Sequence, residues 1–298
     1  MSTTAVAAER RNAPAAALAW MGGALISFTC VAIAGREAYK SLDPWQLMAW
    51  RGSFSFILIW LIVLLTGKTK QSLATRQFGL HGARGLIHFG AQFSWLYALS
   101  LIPLAQLFAL EFTSPLWVAL LAPFILGERL TIWRIIAAVI GFAGAIIVVQ
   151  TGTTMNIGTG EVLALLAAVG FAISMICTKR LTRQDDSFKI LFYMIMMQIV
   201  PALCIFAWRG FKLPPTNGLF WAFAIAVAGL TAHFSLNQAF QRADAIVVAP
   251  MDFLRLPLIA LVGTFLYNES LNPWILAGGA IVVVANLLNM WAERRGKR

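Results

Sequence analysis

The sequence predicts an all-α integral membrane protein: ten transmembrane helices arranged as two inverted five-helix repeats around a central cavity. Three observations predict it. Of the 298 residues, 60% are hydrophobic and 12% charged, whereas soluble domains carry about 25% charged residues. Ten apolar runs fill the chain, at 14–34, 44–66, 79–100, 104–126, 131–150, 160–179, 187–208, 217–240, 245–267 and 272–291. Each is close to the roughly twenty residues a helix needs to cross the hydrocarbon core. Lastly, the stretch at 97–133 recurs without a gap 141 residues later, at 238–274.

The polar landmarks carry the repeat, because apolar segments match one another easily. Glu111 falls on Asp252, Phe112 on Phe253, Glu128 on Glu269, Leu130 on Leu271 and Trp133 on Trp274. Internal duplication accounts for such a series. Both copies read as helix, tight corner, helix. Gly127 in one and Asn268 in the other suit the left-handed residue that ends a helix. Thr131 and Asn272 suit the next N-cap, with Pro273 at the first helical position. The first spans of each half match at an offset of 147, placing Ser27 and Cys30 on Ser174 and Cys177. Residues 1–151 and 152–298 therefore form the two repeats, joined at a Gly/Thr-rich seam, residues 151–160. Five spans per half is an odd number, so the second half enters the membrane with opposite polarity. Inverted repeats are a transporter signature, with the substrate site near the midplane where the halves meet.

Charge placement orients the chain. The apolar run at 13–34 exceeds the 7–15 residues of a signal-peptide core and reads as the first span. With the N-terminus inside, cytoplasmic loops hold sixteen Lys and Arg and outer loops four: Arg36, Lys40, Arg209 and Lys212. That bias puts both termini in the cytoplasm. It also explains the net charge of +11, which in a soluble chain would suggest nucleic acid. The partners expected are the lipid bilayer and a small-molecule substrate, with no nucleic acid and no obligate protein partner evident. Cys30, Cys177 and Cys204 stand singly in apolar runs and read as fillers.

The segment PLWVALLAPFILGERLT closing the first half and its degenerate copy PLIALVGTFLYNESLN closing the second resemble the drug/metabolite transporter superfamily, in its ten-span EamA-like branch. Within that branch the chain is similar to bacterial aromatic amino-acid exporters and to S-adenosylmethionine uptake carriers. The resemblance implies ATP-independent alternating access and a cavity lined by helices 1, 3, 4, 6, 8 and 9. Helices 5 and 10 would be scaffold. Ala137, Gly141 and Ala145 independently place a small-residue stripe on helix 5, suited to close packing.

Polar groups within spans are expensive and ask for a partner or a task. His88, Gln92 and Trp95 share one face of helix 3, and His233 and Asn237 one face of helix 8. Gln92 aligns with His233 at the repeat offset. These stripes read as cavity walls or as hydrogen bonds that hold the bundle. Glu111 and Asp252 are repeat-related carboxylates, and Arg255 follows Asp252 at i+3, a spacing that allows an ion pair. They read as a site for the charged groups of an amino acid, a proton-accepting carboxylate, or a structural pair. Arg51 and Arg84 read as snorkelling residues near span ends. Ser27, Ser114, Ser174, Tyr193 and Gln198 are further polar handles, and Trp20 a further cavity aromatic. Pro115 and Pro257 read as bends in helices 4 and 9. No metal or cofactor is implied: two distant histidines are too few ligands. An embedded enzyme using His88, Glu111 and His233 has no nucleotide, zinc or triad motif behind it. A channel would call for denser pore-lining polarity.

Overall fold

The computed structural model describes residues 14–69, 73–126, 131–149, 157–182, 184–242 and 251–295, and their regular structure is entirely helical. The elements are α1 (Pro14–Ala38), α2 (Pro44–Leu65), α3 (Phe78–Leu99), α4 in two pieces, α4a (Leu104–Glu111) and α4b (Ser114–Leu126), α5 (Ile132–Val149), α6 (Thr159–Leu181), α7 (Ser187–Arg209), α8 (Thr216–Arg242), α9 (Arg255–Tyr267) and α10 (Pro273–Arg295). Among the described residues, eight segments are long and apolar enough to cross a membrane. The other two are α3, which carries His81, Arg84 and His88, and α9, which an interruption shortens.

Local chemistry sets the ends. Asp43 caps α2 by accepting from the Trp45 and Gln46 amides, and Asp186 caps α7 through Lys189. Such caps satisfy amides that have no partner within the helix. Asn268 ends α9 at φ 53°, the left-handed conformation expected there. The Trp274 amide donates to Asn272 Oδ1 at 2.9 Å, with Pro273 opening α10. The matching corner at Gly127 and Glu128, Ala245 at the start of the ninth span and most of the seam lie outside the described residues.

Helix pairing follows the duplication. α2 packs on α7, α4a on α9, and α5 on α10, each against its own repeat mate. α1 packs on α8 and α6 on α3; exchanging the halves converts one of these pairs into the other. The α5–α10 contact is close. A Cβ on Gly144 would lie 2.8 Å from the Gly278 carbonyl, and one on Gly278 would lie 2.6 Å from the Gly144 carbonyl. Small residues allow such approach where lipid offers no hydrophobic drive for association. Ala137, Gly141 and Ala145 are all buried on α5.

Polar ties close both ends of the bundle. At one end Glu269 joins the halves, bonding the Leu104 amide at 2.8 Å and Arg36 at 2.9 Å. At the other, Asp185 in the α6–α7 loop binds Thr75 Oγ1 at 2.7 Å, His81 Nε2 at 3.0 Å and Lys189 Nζ at 3.0 Å. Burial alone would raise the Asp185 pKa, but the bonds to His81, Thr75 and Lys189 outweigh it and hold the carboxyl below its ordinary value. A depressed folded pKa adds stability above the unfolded value, about 4 for Asp, and that stability is lost as pH falls through the folded value. The thermal midpoint in detergent is expected to fall on acidification below about pH 4. Asp185→Asn is expected to lower the neutral-pH midpoint by a few degrees and flatten the acid decline, as differential scanning fluorimetry would read.

Candidate functional site

Two repeat-related spans are interrupted at the same place. α4a ends at Glu111, Phe112 and Thr113 form a turn, and α4b begins at Ser114. One repeat later residues 251–252 are helical, Phe253 and Leu254 form a turn, and α9 begins at Arg255. The breaks are in register although the prolines are not. Pro115 and Pro257 do not sit at the bends, as their positions had suggested; each bend lies just ahead. A proline ring clashes with the carbonyl four residues earlier and withholds an N–H from it, here at Glu111 and Phe253. The rings lie in the first turn of the new helix, where a missing N–H is harmless. Backbone bonds tighten to i→i−3 across each break: Thr113 to Leu110 at 3.1 Å, and Leu254 to Met251 at 3.0 Å. The Phe112 carbonyl accepts from Asn286 Nδ2 on α10 at 2.7 Å.

Both carboxylates at the breaks meet one cation. Arg255 donates to Asp252 Oδ2 at 2.6 Å and lies 3.5 Å from Glu111 Oε1. Glu111 also accepts from Trp95 Nε1 on α3 at 2.7 Å. The Arg255 guanidinium faces Phe28, Phe112 and Phe108, at 4.6, 5.3 and 5.7 Å from the ring centres. An aromatic cage of this kind attracts cations. The cluster carries a formal charge of −1 with both carboxylates ionised.

Beside it an open-sided cleft has Arg51, Ser55, Gln92, Gln198 and His233 as its polar lining. Its walls come from α2, α3, α7 and α8. Arg51 and Gln198 are mates at the 147 offset, and Gln92 and His233 at 141. Repeat mates that share one cleft place it on the pseudo-two-fold axis. Arg51 donates to the amide oxygens of Gln92 at 2.7 Å and Gln198 at 3.1 Å. His88, the residue one turn before Gln92, bonds Ser174 Oγ at 3.3 Å and stacks edge-on to His233 at 5.9 Å. A larger depression lies at one end between Asp43, Gln46, Arg209 and Lys212. It lies between the first turns of α2 and the last turns of α7, and neither break contributes to its lining.

The structure thus brings Gln92 and His233 to the cleft, with His88 and Ser174 behind His233, and Trp95, Glu111, Asp252 and Arg255 to the breaks. Ser114 is buried at the first break, and among the described residues its hydroxyl has no partner. Trp20 and Ser27 instead bond α8: Trp20 packs on Phe234 and Arg242, and Ser27 accepts from Thr231. Asn237 has no side-chain hydrogen bond among the described residues. Arg51 and Arg84, expected to snorkel, are 4% and 8% exposed. Arg51 lies about 10 Å inside α2 by helical rise, too deep to reach an interface. The signal for it was present, since Arg51 and Ser55 form an i, i+4 stripe like that of His88 and Gln92, and Arg51 falls on Gln198. The resemblance pointed to helices 1, 3, 4, 6, 8 and 9 as cavity walls; α2 and α7 contribute as well.

The EamA-like transporter family model matches the chain twice, over residues 15–150 and 158–291. The chain belongs to this family. It is 26% identical to the S-adenosylmethionine uptake transporter of Rickettsia prowazekii over 278 residues, 93% of each chain. It is 30% identical to the riboflavin transporter of Brucella anthropi over 240 residues, 78% of this chain and 84% of that one. With the pseudopaline exporter CntI of Pseudomonas aeruginosa it shares 26% over 256 residues, 84% of this chain and 87% of the exporter. A solved crystal structure shares the fold at a TM-score of 0.65 and 18% identity, covering 95% of this chain and 99% of that one. This EamA-like protein is therefore a multi-pass membrane transporter.

Asn286→Ala would leave the freed Phe112 carbonyl unsatisfied in an interior that is 1% exposed at that residue. A loss of about 1–3 kcal/mol is expected, read as a lower unfolding midpoint in detergent. An unchanged midpoint would mean that another group satisfies the break.

Proposed function

We propose that this protein is an ATP-independent metabolite carrier of the inner membrane, working by alternating access. The observation that carries the proposal is the in-register break of α4 and α9, with a carboxylate at each break, beside a cleft on the pseudo-two-fold axis. Discontinuous helices at a repeat interface expose backbone and charge to a solute at mid-membrane depth. Rocking one half against the other would then open the cleft to alternate sides. The sequence carries no nucleotide-binding motif, so the direction of net flux follows the solute gradient and any coupled ion.

The cargo proposed is an amino acid with a large aromatic side chain, exported from the cytoplasm. Glu111, Asp252 and Arg255 offer partners for its charged groups, and Phe28, Phe108, Phe112 and Trp95 offer rings for its body. A second reading, S-adenosylmethionine uptake, is favoured by the Rickettsia relative and by the fit of a sulfonium to an acidic, aromatic site. Both cargoes have an amino-acid head and a flat, bulky body.

Purified protein in liposomes is expected to move labelled phenylalanine, tryptophan or S-adenosylmethionine without ATP. Movement of S-adenosylmethionine alone would overturn the export reading, and absolute ATP dependence the carrier reading. Trp95→Phe, which removes the donor to Glu111, is expected to slow transport about tenfold. An imposed pH gradient, compared with Glu111→Gln, reports whether that carboxylate carries a proton. The proposed topology has both termini cytoplasmic, so reporter fusions after residues 155 and 298 should read outside and inside. Signals from the same side would end the inverted-topology model.

A further inference from the structure

Among the described residues three arginines are buried in the bundle, and one has a counter-charge. Arg255 lies between Asp252 and Glu111. Arg84 bonds the Thr178 hydroxyl at 2.6 Å and the Ile190 carbonyl at 3.4 Å. Arg51 bonds two side-chain amide oxygens, and among the described residues its Nε has no partner. Among the described residues no carboxylate pairs with Arg51 or Arg84. Of those two, Arg51 lines the cleft on the pseudo-two-fold axis.

A buried cation in a membrane protein is costly without an anion beside it. Neutral amide oxygens compensate it only in part. The duplication shows that packing does not demand the charge. The equivalent slot on α7 holds Gln198, 2% exposed, so a neutral amide fills that position in the second half. The positive charge is specific to one half, and it lines the cleft.

We propose that Arg51 is the anion-recognising residue of the cleft and takes the carboxylate of an amino-acid solute. This rests on the reading of the cleft as the transport site. A guanidinium presents a rigid fork of N–H groups that matches a carboxylate with two bonds. Both bonds to Gln92 and Gln198 leave from Nη2, so a carboxylate takes the Nε and Nη2 prongs by displacing one glutamine oxygen. Gln92 and Trp95 are one turn of α3 apart, about 5 Å along its axis. Trp95 holds Glu111, so α3 links a positive pole at Arg51 to a pole of net charge −1 at Glu111, Asp252 and Arg255. A zwitterion placed between them presents its carboxylate to Arg51 and its ammonium to the acids. The site should therefore reject the same solute once its carboxylate is removed.

The test measures binding to detergent-purified protein by thermal shift, with two matched pairs of probes. These are phenylalanine against phenethylamine, and S-adenosylmethionine against its decarboxylated form. The acid member of at least one pair is expected to bind about tenfold or more tightly than its partner. Arg51→Gln is expected to bind both members alike and to keep an equal or higher unfolding midpoint, which a purely structural arginine would not allow. Arg51→Lys keeps the charge and loses the fork, so it should weaken the acid probe alone. It decides the matter if Arg51→Gln does not fold. Equal binding of both members by the unaltered protein, discrimination retained in Arg51→Gln, or no binding of either acid probe would overturn the proposal. The same preparations in liposomes separate the two readings. Transport without discrimination sinks the role of Arg51 alone, and discrimination without transport sinks the carrier reading alone.

Discussion

Backbone polar groups inside a bilayer must be satisfied by the protein itself, because lipid tails offer no hydrogen bonds. A break in a transmembrane helix is therefore possible only where neighbours or a wet cavity take up the freed groups. The two breaks in this protein obey that constraint. α4a is eight residues long, far too short to be stable alone. Its residues from Leu104 to Leu110 are all buried. The second half holds it at both ends: Glu269 accepts from the Leu104 amide where the helix dipole is positive, and Arg255 faces Glu111 at the far end. Asn286 then takes the Phe112 carbonyl. A fragment that belongs to the first repeat is thus secured by three side chains of the second.

Much of this was legible in the sequence, and the rest was hidden for a physical reason. Span positions followed from apolar run length alone, and the Asn268 corner and Asn272 cap from turn chemistry. The repeat register placed Glu111 over Asp252 before any contact was known. Side-chain partners were another matter. In a soluble helix the polar face marks the outside and the apolar face the core. Here lipid-facing and core-facing positions are both apolar, so Ile57 at 60% exposed and Ile59 at 0% look alike on α2. Periodicity cannot tell them apart. That is why the depth of Arg51 was misjudged and why the Trp95–Glu111 bond, between different helices, was invisible. The break positions were recoverable in principle, since a proline acts on the carbonyl four residues before it.

The two halves give the same scaffold, and the chemistry lies where they differ. Arg51 stands opposite Gln198, and Arg255 opposite Ser114 at the 141 offset. The first half therefore brings Arg51 to the cleft and the second brings Arg255 to the breaks, each a cation that the matching position of the other half lacks. Identical inverted halves would make the two access states equal in energy by symmetry, and the cleft would read the same from either side. Every unmatched residue weights one state over the other, and a ligand that touches unmatched residues shifts that balance by its differential contacts. Glu111 and Asp252 are nearly matched as acids, yet Arg255 pairs with Asp252 at 2.6 Å and with Glu111 at 3.5 Å. The looser carboxylate, held also by an indole N–H, is the one freer to change partners when a cationic group arrives. Exchange of Arg255 for a solute ammonium at Glu111 would connect occupancy of the cleft to the ends of both broken helices.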